Sequence, residues 1–263
     1  MSNPRPVTLI TGASAGIGAA LAQVFAANGH ELVLVARRAA RLEALADSIA
    51  ATGGSRPRVL PADLTRGDAC DCIAGELRAQ SLEPEIVVNS AGFGLSGLAA
   101  EIDRAAQLAM IDLNVRALTD LSLRFIDSLA RHRGGLLNVG SVLGFLPGPQ
   151  MAVYHATKAY VLSFTEALHH ELKPHGIRVT ALCPGPVETE FGVRPDGYFS
   201  RKALRTVGRI AREGFEGLKH NRRIVVTGFD NNVLRQLPRV MPRRLALTMM
   251  NATRRKRIEV NPG

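Results

Sequence analysis

The sequence is poor in cysteine and lacks any long apolar run. No stretch reaches the roughly 18 apolar residues that a membrane-spanning helix requires, and there is no Arg-rich or apolar leader. The three cysteines cannot all pair, and Cys70 and Cys72 are not spaced like zinc-knuckle ligands. These absences argue against export, a membrane span and a disulfide framework. We therefore expect a cytoplasmic protein with reduced thiols in its core.

The charge is unevenly distributed along the chain. The net charge is +10, but residues 1–193 contain 16 Lys or Arg and 18 Asp or Glu, whereas residues 194–263 contain 17 and 5. Within this basic part, residues 231–263 also lack the aromatic residues that stack on single-stranded bases. A nucleic-acid partner is therefore not favoured.

Short apolar runs alternate with longer helical patterns. The runs predict seven strands, at 7–10, 32–35, 58–60, 86–88, 136–139, 178–182 and 223–227. Helices are predicted at about 17–28, after the second strand, at about 103–132, and through Tyr154 to about 174. Buried strands separated by helices indicate a single α/β domain, a doubly wound parallel sheet of about seven strands with helices on both faces. We assign residues 1–230 to this domain and residues 231–263 to a basic C-terminal helical extension.

A glycine-rich turn directly follows the first predicted strand and precedes a helix. It reads Thr11-Gly12-Ala13-Ser14-Ala15-Gly16-Ile17-Gly18. The free amide groups and positive dipole end of that helix would face a phosphate, and the glycines allow a tight turn and close backbone approach. A glycine cluster can be a plain structural turn, but its position between strand and helix favours binding of a dinucleotide pyrophosphate.

The end of the second strand bears on which dinucleotide binds. It reads Val35-Ala36-Arg37-Arg38, without the Asp or Glu that usually binds the ribose of NAD. Two guanidinium groups could instead bind a 2′-phosphate, although they could also be a solvated pair opening the next helix. The missing acid favours NADP(H) over NAD(H).

Tyr154 and Lys158 lie four residues apart, and therefore on one face of a helix. A tyrosine ionises near pH ~10 in water, and a neighbouring cation would stabilise its phenolate. Ser141 lies thirteen residues upstream, at the end of the fifth predicted strand. A Tyr-x-x-x-Lys pair alone could be an amphipathic helix face. With Ser141 and the glycine turn, it indicates hydride transfer with a nicotinamide cofactor.

At these residues the chain resembles the classical short-chain dehydrogenase/reductase family, which has a Rossmann fold, over about residues 5–230. Asp63-Leu64 matches the family's adenine contact, Pro184-Gly185 its Pro-Gly motif, and Asn89-Ser90-Ala91-Gly92 its Asn-Asn-Ala-Gly motif, with Ser90 as a departure. The turn and the resemblance together predict these cofactor-binding residues: Gly12, Ser14, Ala15, Gly16, Ile17, Gly18, Arg37, Arg38, Asp63, Leu64, Asn89, Ala91, Gly92, Tyr154, Lys158, Pro184, Gly185, Val187 and Thr189.

The resemblance also implies a catalytic tetrad of Asn114, Ser141, Tyr154 and Lys158. Tyr154 would donate a proton to a carbonyl oxygen, and Ser141 would polarise that carbonyl. Lys158 would lower the pKa of Tyr154 and bind the nicotinamide ribose. Asn114 would kink its helix and hold a water in the proton relay. The fold could also serve a cofactor-binding regulatory protein, but such a protein would be expected to have lost part of the tetrad.

The positions that follow these motifs predict an apolar substrate pocket. Its residues are Phe93, Leu95, Leu143, Phe145, Met151, Val153 and Phe191. Without a fixed cation, this lining favours a hydrophobic ketone, aldehyde or alcohol, although several of these side chains could simply pack the core. A mobile flap over the site is expected at about 191–219. For His155 we expect a surface or subunit-contact role.

Two predictions concern assembly. The resemblance implies a homodimer or homotetramer. In residues 231–257, apolar and basic side chains alternate. That segment could cover the substrate pocket, form a subunit contact, or contact an anionic membrane surface peripherally.

Overall fold

Short runs of Val, Leu and Ile form a seven-stranded sheet in the computed structural model, which describes residues 4–187 and 206–228. The strands are β1 (Arg5–Thr11), β2 (Leu32–Ala36), β3 (Arg58–Pro61), β4 (Leu82–Asn89), β5 (Gly135–Val139), β6 (Arg178–Cys183) and β7 (Ile224–Val226). Every predicted strand is present. The largest difference is in β4, which begins four residues before Ile86.

All neighbouring strands are parallel, in the order β3-β2-β1-β4-β5-β6-β7. The chain moves outward from β1 through β2 and β3, then returns to place β4 on the other side of β1. A crevice opens beyond the carboxyl ends of the strands at such a switch point, and ligands bind there in doubly wound sheets. The predicted fold class is confirmed.

Helices cover both faces of the sheet. They are α1 (Gly16–Ala27), α2 (Ala39–Ala51), α3 (Ala69–Ala79), α4 (Arg104–Ile111), α5 (Leu118–Arg124), α6 (Ile126–Arg131), α7 (Ala152–Glu171) and α8 (Val207–Lys219). Helices α1, α2 and α8 bury apolar side chains such as Phe25 and Ile210 against one face. Helices α3, α5, α6 and α7 bury others such as Ile73 and Leu129 against the opposite face.

Two helical regions differ from the prediction. Helix α3 was not predicted, although its buried residues Ala69, Ile73 and Leu77 recur at helical spacing. In place of the single helix expected at about 103–132, the structure has four consecutive elements: α4, a π-helical turn (Asp112–Ala117), α5 and α6. The backbone breaks at Phe125, between α5 and α6, where φ is −108° and ψ is 12°.

The predicted flap is partly wrong. Its residues 207–219 form α8, in which Ile210 and Ala211 are fully buried. Their burial against the sheet makes this segment part of the core rather than a cover. The other flap residues up to 205 and the extension 231–263 lie outside the described residues.

The expectation of core thiols holds for two of the three cysteines. Cys70 and Cys183 are buried, whereas Cys72 is exposed. Two residues along a helix correspond to a rotation of about 200°, so Cys72 points away from the core that Cys70 faces. No helix among the described residues is long and apolar enough to cross a membrane.

Candidate active site

The end of β1 is tied to the end of β4 by a threonine. The Oγ1 atom of Thr11 accepts hydrogen bonds from the backbone N–H groups of Ser90 (3.1 Å) and Ala91 (3.2 Å). The same hydroxyl donates to the carbonyl oxygen of Val88 at 3.3 Å. Thr11 thus holds together the two strands on either side of the crevice.

The glycine turn lies directly on this junction. Gly12 has a φ of +68°, and a Cβ there would lie 2.7 Å from the backbone nitrogen of Ala91. A Cβ on Gly18 would overlap the carbonyl oxygen of Gly12, so both positions need glycine. Gly16, also at positive φ, begins α1, and among the described residues the N-cap residue of that helix, Ala15, makes no side-chain capping bond. The first amide groups of α1 are therefore available to an anion.

Arg37 and Arg38 follow β2 at one end of the crevice. Arg38 donates from Nε (3.2 Å) and Nη2 (3.0 Å) to the hydroxyl of Ser14 in the glycine turn. Nearby, Asp63 accepts hydrogen bonds from the backbone and hydroxyl of Thr65. Burial alone would raise the pKa of Asp63, but these bonds and the charge of Arg37 outweigh burial and lower it.

The crevice is a cavity of about 610 Å³. It brings together most residues of the predicted site. Those lining it are Gly12, Ser14, Ala15, Gly16, Ile17, Gly18, Arg37, Arg38, Asp63, Leu64, Ala91, Gly92, Phe93, Ser141, Leu143, Tyr154, Lys158, Pro184, Gly185 and Val187. Thr189 and Phe191 lie outside the described residues.

Asn89 does not line the cavity. Its Nδ2 donates to Asn138 Oδ1 (2.9 Å) and to the hydroxyl of Ser122 (3.0 Å). Asn138 in turn donates to the hydroxyl of Thr165 on α7 at 3.0 Å. The side chain of Asn89 therefore belongs to a buried hydrogen-bond network across β4, β5 and α7, because β4 turns it away from the crevice. The side chain thus supports the sheet, and a cofactor contact by Asn89 stays a prediction.

Tyr154, Lys158 and Ser141 converge at the other end of the cavity from Arg37. Lys158 Nζ lies 5.9 Å from the centre of the Tyr154 ring and donates to the carbonyl oxygen of Val139 at 2.8 Å. The Ser141 hydroxyl hydrogen-bonds with Tyr154 and also accepts from the backbone nitrogen of Leu143 at 3.1 Å. The phenol, the serine hydroxyl and the ammonium thus form one cluster, as the sequence predicts.

Burial controls the pKa values of this cluster. It raises the pKa of Tyr154 to about 12, and the hydrogen bond with Ser141 opposes this only in part. Burial also lowers the pKa of Lys158 to about 8, although the nearby Cys183 thiolate charge would raise it. In the protein alone, desolvation is the largest effect on the pKa of Tyr154. The lowering of this pKa by Lys158 therefore stays a prediction.

Asn114 lies in the π-helical turn, where the predicted helix is interrupted. Its Oδ1 accepts from the backbone nitrogen of Phe93 at 3.1 Å, and its Nδ2 donates to the carbonyl oxygen of Phe93 at 2.9 Å. Nδ2 also donates to the hydroxyl of Thr157 at 3.1 Å, and that hydroxyl donates to the carbonyl oxygen of Tyr154 at 2.8 Å. Asn114 thus connects the Phe93 loop to the catalytic helix, and it does not line the cavity.

Apolar side chains pack around Tyr154. Met110 and Met151 are buried with it, and partly buried neighbours complete the cluster: Phe93, Leu95, Leu143 and Val153. Phe145 lies elsewhere. It packs against Leu162, Ala181 and Cys183, on the far side of the 3₁₀ turn (Val142–Phe145) from Leu143. The placement of Phe145 corrects its assignment to the substrate pocket.

Comparison with known proteins identifies the family. Residues 6–195 match the family described as short chain dehydrogenase. The chain belongs to this family. Sulfoacetaldehyde reductase from Chromohalobacter salexigens is 37% identical over 185 residues, covering 69% of this chain and 72% of the relative.

Two solved structures extend the likeness. A short-chain dehydrogenase from Sphingobium yanoikuyae in complex with NADPH is 33% identical, with a TM-score of 0.77 over 90% of this chain and 96% of the other. The bulky-bulky ketone specific alcohol dehydrogenase from Comamonas testosteroni is 28% identical, with a TM-score of 0.75 over 98% and 95%. This short-chain dehydrogenase is therefore an oxidoreductase that uses a nicotinamide cofactor.

The site of this short-chain dehydrogenase fits such a cofactor. Glycine at 12 lets the turn approach the backbone of Ala91, and glycine at 18 lets α1 approach the carbonyl oxygen of Gly12. The uncapped start of α1 suits a pyrophosphate. A Cβ on Gly92 would lie 3.0 Å from Asn114 Oδ1 and 3.6 Å from Lys158 Nζ, so this glycine keeps the space beside Lys158 open.

Sequence reasoning did not find every residue that supports this site. Thr157 was not singled out, although it shares a helix face with Tyr154 three residues earlier. The predicted surface or subunit-contact role of His155 is wrong. His155 is 2% exposed, and its Nδ1 lies 2.7 Å from the carbonyl oxygen of Leu146. The His155 side chain points away from Tyr154 around the helix, and it lies under the loop before α7 rather than in solvent.

Proposed function

We propose that this short-chain dehydrogenase is an NADP(H)-dependent enzyme that transfers hydride between the nicotinamide and the carbonyl or secondary alcohol of a hydrophobic substrate. The observation that carries the proposal is a single cavity with the glycine turn and two arginines at one end and Tyr154, Ser141 and Lys158 at the other. Loss of part of the tetrad would favour a regulatory protein, but all four residues are present.

Tyr154, Ser141 and Lys158 have separate roles in a carbonyl reduction. When bound, the reduced nicotinamide supplies hydride to the carbonyl carbon. Tyr154 donates its proton to the carbonyl oxygen, and the Ser141 hydroxyl holds that oxygen beside the phenol. Lys158 provides positive charge next to the phenolate that remains. With a pKa raised to about 12, Tyr154 is protonated at neutral pH, as a proton donor must be.

Arg37 and Arg38 support the preference for NADP(H). Both line the cavity beyond β2, where no carboxylate of β2 is available for a ribose 2′-hydroxyl. Guanidinium groups suit a 2′-phosphate because they donate two parallel charge-assisted hydrogen bonds. The NADPH held by the Sphingobium relative is consistent with this choice.

The apolar cluster around Tyr154 supports a hydrophobic substrate. Phe93, Leu143 and Met151 offer no charge to an anionic group. The named substrates of the relatives differ, since one is a reductase of sulfoacetaldehyde and another is specific for bulky-bulky ketones. The pocket of this chain favours the second type. A homodimer or homotetramer and a peripheral membrane contact through 231–257 remain predictions.

Replacing the phenol tests the proposal. NADPH oxidation would be screened against lipophilic ketones, aldehydes and steroids. Tyr154→Phe is expected to lower turnover of the best substrate by about 10²–10⁴-fold, with NADPH affinity little changed. Tyr160→Phe is the matched control, because Tyr160 lies on the same helix and bonds the hydroxyl of Thr119 at 2.8 Å, outside the cavity. Near-normal turnover in Tyr154→Phe would refute the mechanism.

A further inference from the structure

The loop before the catalytic helix has few backbone donors of its own. It reads Leu146-Pro147-Gly148-Pro149-Gln150-Met151, and its two prolines have no N–H group. Gln150 adopts a positive φ of 64°, which is uncommon for a residue with a side chain. A loop of this composition needs contacts from outside to hold one conformation.

Carbonyl groups provide those contacts. The carbonyl oxygen of Gln150 accepts from the backbone nitrogen of Gly97, outside the loop, at 2.8 Å, whereas that of Gly148 accepts from Met151 within the loop at 3.2 Å. The carbonyl oxygen of Leu146 lies 2.7 Å from Nδ1 of His155. A carbonyl can only accept, so Nδ1 of His155 carries a proton and donates it. His155 thus provides a side-chain anchor for the start of the loop.

Gly148 packs against the imidazole ring of His155. A Cβ on Gly148 would overlap the ring of His155 at Nε2, Cδ2 and Cε1, so glycine lets the loop lie flat against it. Leu146, Gly148 and His155 are all buried. The ring therefore fixes the loop in two ways, by a hydrogen bond at Leu146 and by packing at Gly148.

The loop is joined to the site of the proposed reaction. Met151 ends the loop and packs against Tyr154 in the apolar cluster that includes Phe93 and Leu143. Its carbonyl oxygen also accepts from the backbone nitrogen of His155 at 2.9 Å, in the first turn of α7. A shift of the loop would move Met151 relative to Tyr154.

We propose that His155 is a positioning residue that sets the apolar wall of the substrate site. Its imidazole clamps the 146–151 loop onto α7 and so fixes Met151 beside Tyr154. The proposal rests on the proposed function for its kinetic consequence, but the clamp itself does not depend on turnover. Because Tyr154 and Lys158 keep their own contacts, loss of the clamp affects substrate binding more than the chemical step.

Two substitutions separate the hydrogen bond from the ring. Asn places an amide nitrogen on Cγ, where His carries Nδ1, whereas Phe keeps a ring and loses the donor. We expect His155→Phe to raise the KM of the carbonyl substrate about three- to tenfold, the range of one hydrogen bond, with kcat within about twofold. His155→Asn should stay near the wild-type KM. His170→Phe and His170→Asn are matched controls at an exposed position of the same helix.

The kinetic outcome is decisive either way. A KM raised in His155→Phe and restored in His155→Asn supports the clamp. A wild-type KM in His155→Phe, or equal defects in both variants, overturns the positioning role. NADPH binding to each variant checks that the fold is retained.

Hydrogen exchange tests the clamp without any substrate. The backbone amides of Leu146, Gly148, Gln150 and Met151 should exchange faster in His155→Phe than in wild type or His155→Asn. Gly148→Ala should also accelerate exchange, and adding His155→Asn should relieve it by removing the ring that the new Cβ meets. Unchanged exchange in His155→Phe would overturn the inference even if the enzyme is active. Faster exchange in an enzyme that reduces no carbonyl would refute the proposed function alone.

Discussion

At the scale of single residues, burial opposes the charges that the chemistry uses. Tyr154 and Lys158 are 7% and 6% exposed, and both pKa values move towards the neutral form. The sequence places the two residues on one helix face, but it does not reveal how far each is desolvated. Of these two groups, Lys158 is therefore the one whose charge changes closer to neutral pH.

Lys158 should leave a signature in the stability of the cofactor-free protein. Its pKa falls from an ordinary 10.5 to about 8 on folding. Between these values the unfolded chain binds a proton that the folded protein does not, so stability rises with pH. Relative to Lys158→Met, wild type should gain on the order of 3 kcal/mol across this window and nothing below it.

Urea unfolding at several pH values between 7 and 10.5 measures this difference. The comparison with Lys158→Met cancels other titrating groups. Parallel stability curves for the two proteins would show that Lys158 keeps its charge when buried.

The two arginines after β2 should differ in effect. Arg37→Ala is expected to weaken NADPH binding about ten- to a hundredfold, since a charge-assisted hydrogen bond contributes about 1.5–3 kcal/mol, and to leave NADH binding little changed. Arg38→Ala should weaken both cofactors, because Arg38 also braces Ser14 in the glycine turn. Titration of both cofactors into both variants measures this. An NADPH to NADH ratio unaffected by Arg37→Ala would mean that the 2′-phosphate is bound elsewhere.

At the scale of elements, periodicity predicted the strands because each buried run is short and continuous. It did not predict the π-helical turn, where apolar spacing continues but Asn114 bonds the Phe93 backbone across the fold. A break there was implied only by the resemblance, as a kink at Asn114. The mobile flap expected at about 191–219 is wrong for residues 207–219, which form α8 with Ile210 and Phe215 buried. The glycine turn and the tetrad were predictable because their chemistry requires particular residues. His155 and Thr157 were not, because their partners Leu146 and Asn114 lie in the loop before α7 and in the π-helical turn, which the spacing along α7 does not reveal.

Thr157 offers a test of how these elements are joined. Thr157→Val keeps the shape but removes the acceptor for Asn114 Nδ2, so a buried donor loses a partner. We expect a loss of about 1–3 kcal/mol in unfolding free energy and lower turnover. Thr157→Ser keeps the hydroxyl and should lie closer to wild type on both measures. Wild-type stability in Thr157→Val, or a loss in Thr157→Ser as large as in Thr157→Val, would mean that the hydroxyl bond to Asn114 is not what stabilises this junction.

At the scale of the whole molecule, three helices of the described structure carry exposed apolar side chains. Leu108 and Ile111 on α4 are 54% and 40% exposed, and Leu123 on α5 and Tyr160 on α7 are 47% and 38% exposed. The hydroxyl of Tyr160 bonds Thr119, one turn before Leu123, so α5 and α7 lie side by side. Adjacent helices that expose apolar side chains favour contact with the same face of a second copy.

We therefore expect Leu123→Glu to shift the protein towards the monomer. Two copies of this face would bring the introduced carboxylates together in an apolar interface, which is costly unless they are paired. Light scattering coupled to size-exclusion chromatography over a range of concentrations measures the assembly. Leu98→Glu is the matched control, since Leu98 is 51% exposed but lies in the segment before α4. If wild type is monomeric, or if both variants dissociate equally, α5 and α7 do not form the subunit contact.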